Sequence, residues 1–146
     1  MTGPARILVV DDAATVRLYH RKLFGDAGWE TDEAINGVEA LEKVAAANAG
    51  RPFDLFVVDV NMPKLDGYGF VRELRRLAPD LQAPVMMVST EAQLHDARAA
   101  QDAGANCYLV KPARPAELVL SAALLLADAP AATRAAASHI SSGAKR

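Results

Sequence analysis

Four short, uninterrupted apolar runs recur along the chain, and they constrain its fold more than any other feature of the sequence. They are "RILVV" (6–10), "LFVVD" (55–59), "PVMMVS" (84–89) and "CYLV" (107–110). A strand with one wet face alternates apolar and polar residues, so uninterrupted runs indicate strands that are buried on both faces. A weaker run, "WETDEA" (29–34), predicts a fifth strand nearer the edge of a sheet.

Stretches with helical spacing follow each of these strands. The predicted helices are 14–27, a second that opens at Asn36-Gly37, 67–77 with Pro79 ending it, 91–103 closed by Gly104, and 115–128. Their apolar faces are predicted at Val16, Tyr19, Leu23 and Ala27 in the first, at Val38, Leu41 and Val44 in the second, and at Phe70, Val71, Leu74 and Leu77 in the third. The helix over 91–103 is rich in alanine and has few large apolar residues, so it is predicted to be weakly anchored.

A strand followed by a helix, five times over, predicts an α/β fold with a parallel sheet covered by helices on both faces. Right-handed crossovers leave few topologies, and the favoured one is a flavodoxin-like, doubly wound (βα)5 sheet of strand order 2-1-3-4-5. The length of 146 residues suits one domain, predicted over 1–129. The Ala- and Ser-rich segment 130–146 is expected to be a disordered tail or a frayed helix.

Composition and charge exclude several classes of function. A net charge of −2 supplies no general field for a nucleic-acid backbone, so no nucleic-acid partner is expected. The longest apolar run, 118–127, is about half the length that a membrane-spanning helix needs, and the N-terminus lacks the features of a secretory signal. We therefore expect a cytoplasmic protein with no membrane partner. The single cysteine, Cys107, cannot form an internal disulfide and is expected to be a core residue.

In doubly wound sheets, functional sites lie beyond the carboxyl ends of the strands. The residues predicted at that edge are Asp11, Asp12, Asp59, Ser89, Thr90, Lys111 and Pro112. Each has an ordinary interpretation when taken alone, since Asp12 could cap a helix, Lys111 could be a solvated surface residue, and Ser89 could satisfy a local backbone group. Their convergence on one edge favours a functional site.

Three neighbouring carboxylates repel one another and need a counter-charge, and an all-oxygen ligand set favours Mg²⁺. A carboxylate beside Mg²⁺ can act as a nucleophile toward phosphorus, while a lysine and a hydroxyl bind the phosphoryl oxygens. Asp59, Lys111 and Ser89 could fill these three roles. The chain has no glycine-rich phosphate loop, so the phosphoryl donor is expected to be another molecule.

Several motifs together resemble the receiver domain of two-component response regulators over residues 5–128. They are "ILVVDD", "VVDVNMPKLDGYGF", "MMVST" and "AGANCYLVKP". The resemblance implies that Asp59 is phosphorylated by a histidine kinase. It also implies that Asp12, Asp59 and the backbone carbonyl of Asn61 bind Mg²⁺ directly, while Asp11 acts mainly through water.

The same resemblance implies roles for the later motifs. Ser89 matches the switch hydroxyl, Lys111 matches the lysine of the site with a cis peptide bond before Pro112, and Tyr108 matches the aromatic switch position. Asn61 and Glu91 occupy the positions that tune self-dephosphorylation in the family. The protein is thus expected to be a phosphoacceptor and not an enzyme.

Only 18 residues follow Asp128, so a stand-alone receiver is expected that signals by docking a partner on the face formed by 91–128. Asn61 and Glu91 resemble those of the chemotaxis branch, which implies a flagellar-motor protein as target; the resemblance also allows a phosphatase as partner. Departures at Ala13, Val60, Ala113 and Arg114 leave the partner open. The alternatives are a phosphate sink or phosphorelay intermediate, a Mg²⁺-dependent aspartyl-phosphate phosphatase, and a scaffold that has kept only the fold.

Overall fold

Strands and helices alternate along the chain in the computed structural model, which describes residues 3–77 and 82–127. The strands are β1 (Arg6–Val10), β2 (Glu30–Ala34), β3 (Leu55–Val58), β4 (Val85–Ser89) and β5 (Cys107–Val110). The helices are α1 (Ala14–Asp26), α2 (Gly37–Asn48), α3 (Gly67–Leu74), α4 (Leu94–Ala103) and α5 (Pro115–Ala127). All five predicted strands and all five predicted helices are present, with differences at some of their ends.

The five strands form one parallel sheet in the order β2-β1-β3-β4-β5, which confirms the predicted flavodoxin-like topology. The sequence "WETDEA" supplies β2 at one edge, as predicted. The ends of the strands are in register, since Val10 of β1 pairs with Val58 of β3 and Ser89 of β4 pairs with Val110 of β5. The chain segments that follow these strands therefore leave the sheet along one edge.

The core consists of two apolar layers, one on each face of the sheet. In β1, Leu8 and Val10 face the layer that contains residues of α2, α3 and α4, whereas Ile7 and Val9 face the layer that contains residues of α1 and α5. All four side chains are fully buried. The uninterrupted apolar runs exist because both sides of the inner strands are covered.

The buried face of α1 matches the prediction only in part, since Leu23 packs against the core as predicted. Tyr19, expected to face inward, is 44% exposed, and the buried residues are its neighbour His20 and Phe24. The ring of Phe24 is fully buried and lies 6.1 Å from that of Trp29. The large aromatic ring of Phe24 turns the helix by about one residue relative to the predicted apolar face.

The prediction for α2 was also partly wrong. Val44 is buried and Leu41 packs against the core, but Val38 is 42% exposed. The reason is Gly37, where an added Cβ would lie 2.6 Å from the carbonyl oxygen of Leu65. This close approach places the helix face that contains Gly37 and Val44 against the core, and Val38 therefore faces solvent.

Two helix ends differ from the prediction. Helix α3 ends at Leu74 and not at Leu77, because the amides of Arg76 and Leu77 donate to carbonyls three residues back, at 3.1 Å each, and form a tighter turn. The predicted terminator, Pro79, lies outside the described residues. Helix α4 begins at Leu94 and not at residue 91, since Gln93 and Asp96 form a capping box there.

Three remaining predictions concern Cys107, the C-terminal tail and membrane-spanning helices. Cys107 is half-buried at the edge of the core, and burial raises the pKa of its thiol. The predicted tail, 130–146, lies outside the described residues. Among the described helices, none combines the length and the apolar character that crossing a bilayer requires.

Candidate functional site

Asp11, Asp59 and Lys111 lie at the carboxyl edge of the sheet, where the sequence predicts them. Asp11 follows β1, and its amide donates to the carbonyl of Ala34 at 3.1 Å; Asp59 follows β3, and its amide donates to Val10 at 2.8 Å. Lys111 follows β5, and its amide donates to the carbonyl of Ser89 at 2.7 Å. Backbone bonds between neighbouring strands thus fix the positions from which these side chains start.

Asp11, Asp12 and Asp59 form an acidic cluster in which one carboxylate oxygen from each lies within 4.8 Å of the others. Asp11 is buried, Asp59 is half-buried and Asp12 is exposed, so the cluster opens to solvent on the Asp12 side. Hard divalent cations prefer such oxygen ligands, and Mg²⁺ keeps part of its water shell when it binds. The donor set and its opening to solvent therefore fit Mg²⁺. Asn61, the other predicted ligand, is an exposed residue of the loop after β3.

Lys111 bridges two of these carboxylates. Its Nζ lies 2.9 Å from Asp11 Oδ2 and 3.2 Å from Asp59 Oδ1, and its side chain is 19% exposed. Sequence reasoning reserved Lys111 for a phosphoryl oxygen and assigned the counter-charge to a metal ion. In the structure the ammonium group itself offsets part of the negative charge.

Burial and neighbouring charges shift the pKa values of Asp59 and Lys111. Burial raises the pKa of Asp59, and the charge of Asp11 raises it further, against the opposing effect of Lys111. Burial disfavours the charged form of Lys111, but its hydrogen bond with Asp11 and the charges of both carboxylates raise its pKa. The lysine is therefore a firmly charged donor beside a carboxylate that is costly to ionise.

Ser89, Glu91 and Tyr108 form a connected chain next to this cluster. Ser89 is fully buried, and its Oγ accepts a hydrogen bond from the amide of Glu91 at 3.1 Å. The carbonyl of Glu91 accepts a hydrogen bond from the Tyr108 hydroxyl at 2.8 Å. The peptide bond between Lys111 and Pro112 is cis. The loop over 90–93 thus joins the predicted switch hydroxyl to the predicted aromatic residue.

Arg17 also belongs to the site, and sequence reasoning missed it. Its Nη1 donates to the carbonyl of Asp11 at 2.7 Å, and its Nε donates to Glu33 Oε1 at 2.8 Å. Arg21 binds the other oxygen of Glu33 at 3.1 Å. The spacing of Arg17 and Arg21 on one face of α1 and the acidic character of β2 could have suggested this link, which fixes the loop that carries the acids.

Two further residues near the site were not singled out from the sequence. Tyr68 of α3 donates its hydroxyl to the carbonyl of Asp96 in α4 at 3.3 Å. His20 is buried in α1 close enough to Asp11 and Lys111 for their charges to act on it. Neither position carries a local sequence signal, because both depend on how helices pack in three dimensions.

The structure is thus a small α/β domain, built on a doubly wound sheet whose carboxyl edge holds three acids and a bridging lysine. A family model described as "Response regulator receiver domain" matches residues 7–123. The chain therefore belongs to the response-regulator receiver family. Members of this family accept a phosphoryl group from a histidine kinase, dock to partners and are not classical enzymes, and they generally bind Mg²⁺ at an acidic pocket.

Individual relatives agree with this assignment. "Transcriptional regulatory protein PrrA" of Mycobacterium tuberculosis is 41% identical over 126 residues, which are 86% of this chain and 51% of that protein. The chain thus spans about half the length of this curated relative. The chemotaxis protein CheY4 of Vibrio cholerae is 33% identical with a TM-score of 0.75, covering 85% of this chain and all of that one. A putative response regulator from Chloroflexus aurantiacus is 33% identical with a TM-score of 0.77, covering 85% and 98%.

Proposed function

We propose that this receiver is phosphorylated on Asp59 and signals by phosphorylation-dependent docking to a partner protein. The observation that carries the proposal is the bridge from Lys111 to Asp59 and Asp11 within the acidic cluster. A structural ion pair would not need a third, exposed carboxylate such as Asp12 beside it. An acceptor site needs a nucleophile, a fixed cation and room for a metal ion, and these residues supply all three.

The transfer step is an attack by a carboxylate oxygen of Asp59 on the phosphorus of a phosphohistidine. A P–O bond forms while the P–N bond breaks, and the leaving imidazole nitrogen takes up a proton from water. Lys111 then exchanges its contact with Asp59 for a phosphoryl oxygen, and the Ser89 hydroxyl donates to another. The same side chain that neutralises the resting site thus binds the product.

Asp11, Asp12, Asp59 and the backbone carbonyl of Asn61 would hold Mg²⁺ in this proposal. Bound there, the ion would supply positive charge opposite the incoming phosphoryl group. Asn61 and Glu91 would set the rate of self-dephosphorylation from the rim of the site, since both are exposed residues of loops that flank Asp59 and Ser89.

The response would run through Ser89 and Tyr108. When the Ser89 hydroxyl turns to the phosphoryl group, its bond with the Glu91 amide is lost, and the carbonyl of Glu91 that holds Tyr108 is released with it. The phosphoryl group carries about −1.5 to −2 charges in place of the single negative charge of the Asp59 carboxylate, and this change in amount and position of charge can bias such a two-state element. The surface that changes would be the proposed docking face, 91–128.

We further propose a flagellar-motor protein as the docking partner, on the basis of Asn61, Glu91 and the likeness to a chemotaxis protein. The alternative is a phosphate sink or phosphorelay intermediate in another pathway. The likeness to a transcriptional regulator keeps that alternative open, because receiver domains with different outputs share this fold.

The acceptor role is tested by incubating the protein with acetyl phosphate and Mg²⁺ and measuring intact mass. The wild type is expected to gain one phosphoryl group, and Asp59→Asn is expected to gain none. Asp26→Asn is the matched control, since Asp26 is an exposed acid at the end of α1. Equal modification of the wild type and Asp59→Asn would contradict the proposal, and continuous hydrolysis of a small phosphate ester would instead favour the aspartyl-phosphate phosphatase alternative.

The output is tested by measuring affinity for a purified motor switch protein with and without beryllofluoride, which mimics a phosphoryl group. Motor control predicts tighter binding when beryllofluoride and Mg²⁺ are present, with no such gain for Asp59→Asn. Rapid phosphoryl exchange with histidine kinases and no affinity for the motor protein would favour the phosphate sink.

A further inference from the structure

The two ends of α4 are attached to the rest of the molecule in different ways. At the C-terminal end, the guanidinium group of Arg75 donates to the carbonyl of Gly104 at 2.9 Å, to the carbonyl of Ala83 at 2.7 Å and to Asn106 Oδ1 at 2.9 Å. Gly104 has a φ of 114°, and a Cβ there would lie 2.7 Å from Arg75 Cγ. Charge-assisted bonds and close packing therefore fix this end.

The body of α4 contributes little apolar anchoring, as its sequence predicted. Its buried residues are Asp96, Ala100 and Ala103, and a groove lined in part by Ala97 and Ala105 lies between the helix and β5. Alanine side chains bury little apolar area, so the free energy gained from packing is small. The position of α4 must depend strongly on its polar attachments.

The N-terminal end of α4 is attached through the hydroxyl groups of two tyrosines. Tyr108 donates to the carbonyl of Glu91, in the loop before the helix, at 2.8 Å. Tyr68 donates to the carbonyl of Asp96, in the first turn, at 3.3 Å. The Asp96 side chain in turn accepts a hydrogen bond from the amide of Gln93 at 3.0 Å, so Tyr68 contacts the residue that caps the helix.

The two phenol groups act on each other. Burial raises the pKa of Tyr68 to about 12, and Tyr108, Asp96 and Glu91 contribute to the increase. Tyr68 therefore stays protonated at neutral pH and can serve only as a neutral donor or acceptor. Tyr68 also follows Gly67, whose amide donates to the carbonyl of Val60 at 2.8 Å. The backbone of Tyr68 therefore begins beside the loop after β3, which carries Asp59.

We propose that Tyr68 is a positioning residue of the switch: its hydroxyl holds the first turn of α4 in the resting arrangement, in parallel with Tyr108. The resemblance assigns a switch role to Ser89 and Tyr108, whereas the contact between α3 and α4 adds Tyr68. When Tyr108 leaves Glu91, the Tyr68 bond still resists movement of α4 about its fixed C-terminal end. Tyr68 thereby increases the fraction of molecules that keep the resting arrangement of α4 after phosphorylation. This role in the switch rests on the proposed function.

The contact between the Tyr68 hydroxyl and the first turn of α4 is tested without any phosphoryl group, by amide hydrogen exchange of the metal-free protein. Tyr68→Phe keeps the ring and removes the hydroxyl, and it is expected to speed exchange in the first turn of α4 about three- to tenfold, the effect of losing one hydrogen bond. Tyr19→Phe is the matched control, because Tyr19 lies on α1 at the other face of the sheet. Equal exchange in α4 for Tyr68→Phe and the wild type would overturn the proposal.

The link to the switch is tested by titrating beryllofluoride in the presence of Mg²⁺. Tyr68→Phe is expected to bind about threefold more tightly than the wild type, because removing a resting-state contact lowers the cost of leaving that state. The effect is expected to be non-additive with Tyr108→Phe, which a purely structural role would not produce. Unchanged affinity would overturn the role of Tyr68 in the switch. A wild type that does not bind beryllofluoride would refute the proposed function. In that case the exchange experiment alone would decide whether the Tyr68 hydroxyl holds the first turn of α4.

Discussion

Lys111 serves two carboxylates at once in the resting protein. Its ammonium group lies within 3.2 Å of an oxygen of both Asp11 and Asp59, in a position where water has limited access. Removing one member of a buried ionic cluster leaves the remaining charges uncompensated, which costs more than the cluster contributes as a whole. The resting site is therefore balanced by a residue that phosphorylation must redirect.

Lys111→Met is expected to lower the free energy of unfolding by about 2 kcal/mol in metal-free buffer at pH 7, because it leaves Asp11 and Asp59 facing each other without a cation. Urea unfolding measures the change. Lys22→Met is the matched control, since Lys22 and Asp26 form an exposed surface pair, and its effect is expected to stay below about 0.5 kcal/mol. A Lys111→Met protein as stable as the wild type would mean that the ammonium group does not compensate these carboxylates.

Helix α3 begins in close backbone contact with the loop that carries Asp59. Its first residue is Gly67, and an added Cβ there would overlap the carbonyl oxygen of Asp59 and lie 2.7 Å from Met87 Cε. Asp66 caps the helix by accepting from the amide of Gly69 at 2.8 Å. The helix can start directly against the loop after β3 only because residue 67 has no side chain.

Gly67→Ala is expected to destabilise the fold by about 2 kcal/mol, as overpacking against a fixed backbone oxygen does. Gly25→Ala is the matched control in α1, where an added Cβ meets nothing within 4 Å. It is expected to stabilise the protein by about 0.5–1 kcal/mol, because alanine is the better helix former. Thermal or urea unfolding of both variants checks the contrast, and a neutral Gly67→Ala would show that the loop after β3 can move aside.

The helices also show what local sequence can and cannot specify. Gly104 and Pro115 mark a helix end and a helix start correctly, because their backbone preferences act locally. The inward face of α1 was predicted only in part, since Leu23 packs against the core but Tyr19 is exposed, and the end of α3 was predicted wrongly. These features depend on Phe24, which fills the core beside Trp29, and on Gln82, whose Nε2 donates to the carbonyl of Leu77 at 2.8 Å. Both contacts join residues five positions apart across the end of a helix, and a pattern of helical spacing does not include them.

At the scale of the whole molecule, His20 couples folding to pH. The residue is 5% exposed, and its Nδ1 has no hydrogen-bond partner within the described segments of the chain. Burial lowers the pKa of His20, the charge of Asp11 opposes this, and the charge of Lys111 adds to it. The folded protein therefore holds His20 neutral over a range in which the unfolded chain is protonated.

Because its pKa is lowered on folding, His20 contributes stability that is fully present above 6.5, its ordinary pKa, and is lost as the pH falls toward the folded value. The loss from this one group is expected to reach at most about 1.4 kcal/mol per pH unit. His20→Leu is expected to remove this part of the pH dependence, whereas His95→Leu is not, since His95 is 79% exposed. Urea unfolding from pH 7.5 to 5 tests this, and parallel stability curves for His20→Leu and the wild type would contradict it.

The sequence alone determined the topology of the sheet, because uninterrupted apolar runs require strands covered on both faces and right-handed crossovers leave few arrangements. It also placed Asp11, Asp59, Ser89 and Lys111 at one edge, since each follows or ends a strand. Tertiary structure decided what these groups contact. The bridge of Lys111 between two acids and the contact of Tyr68 with α4 depend on distances between residues far apart in sequence, which packing sets and no local pattern encodes.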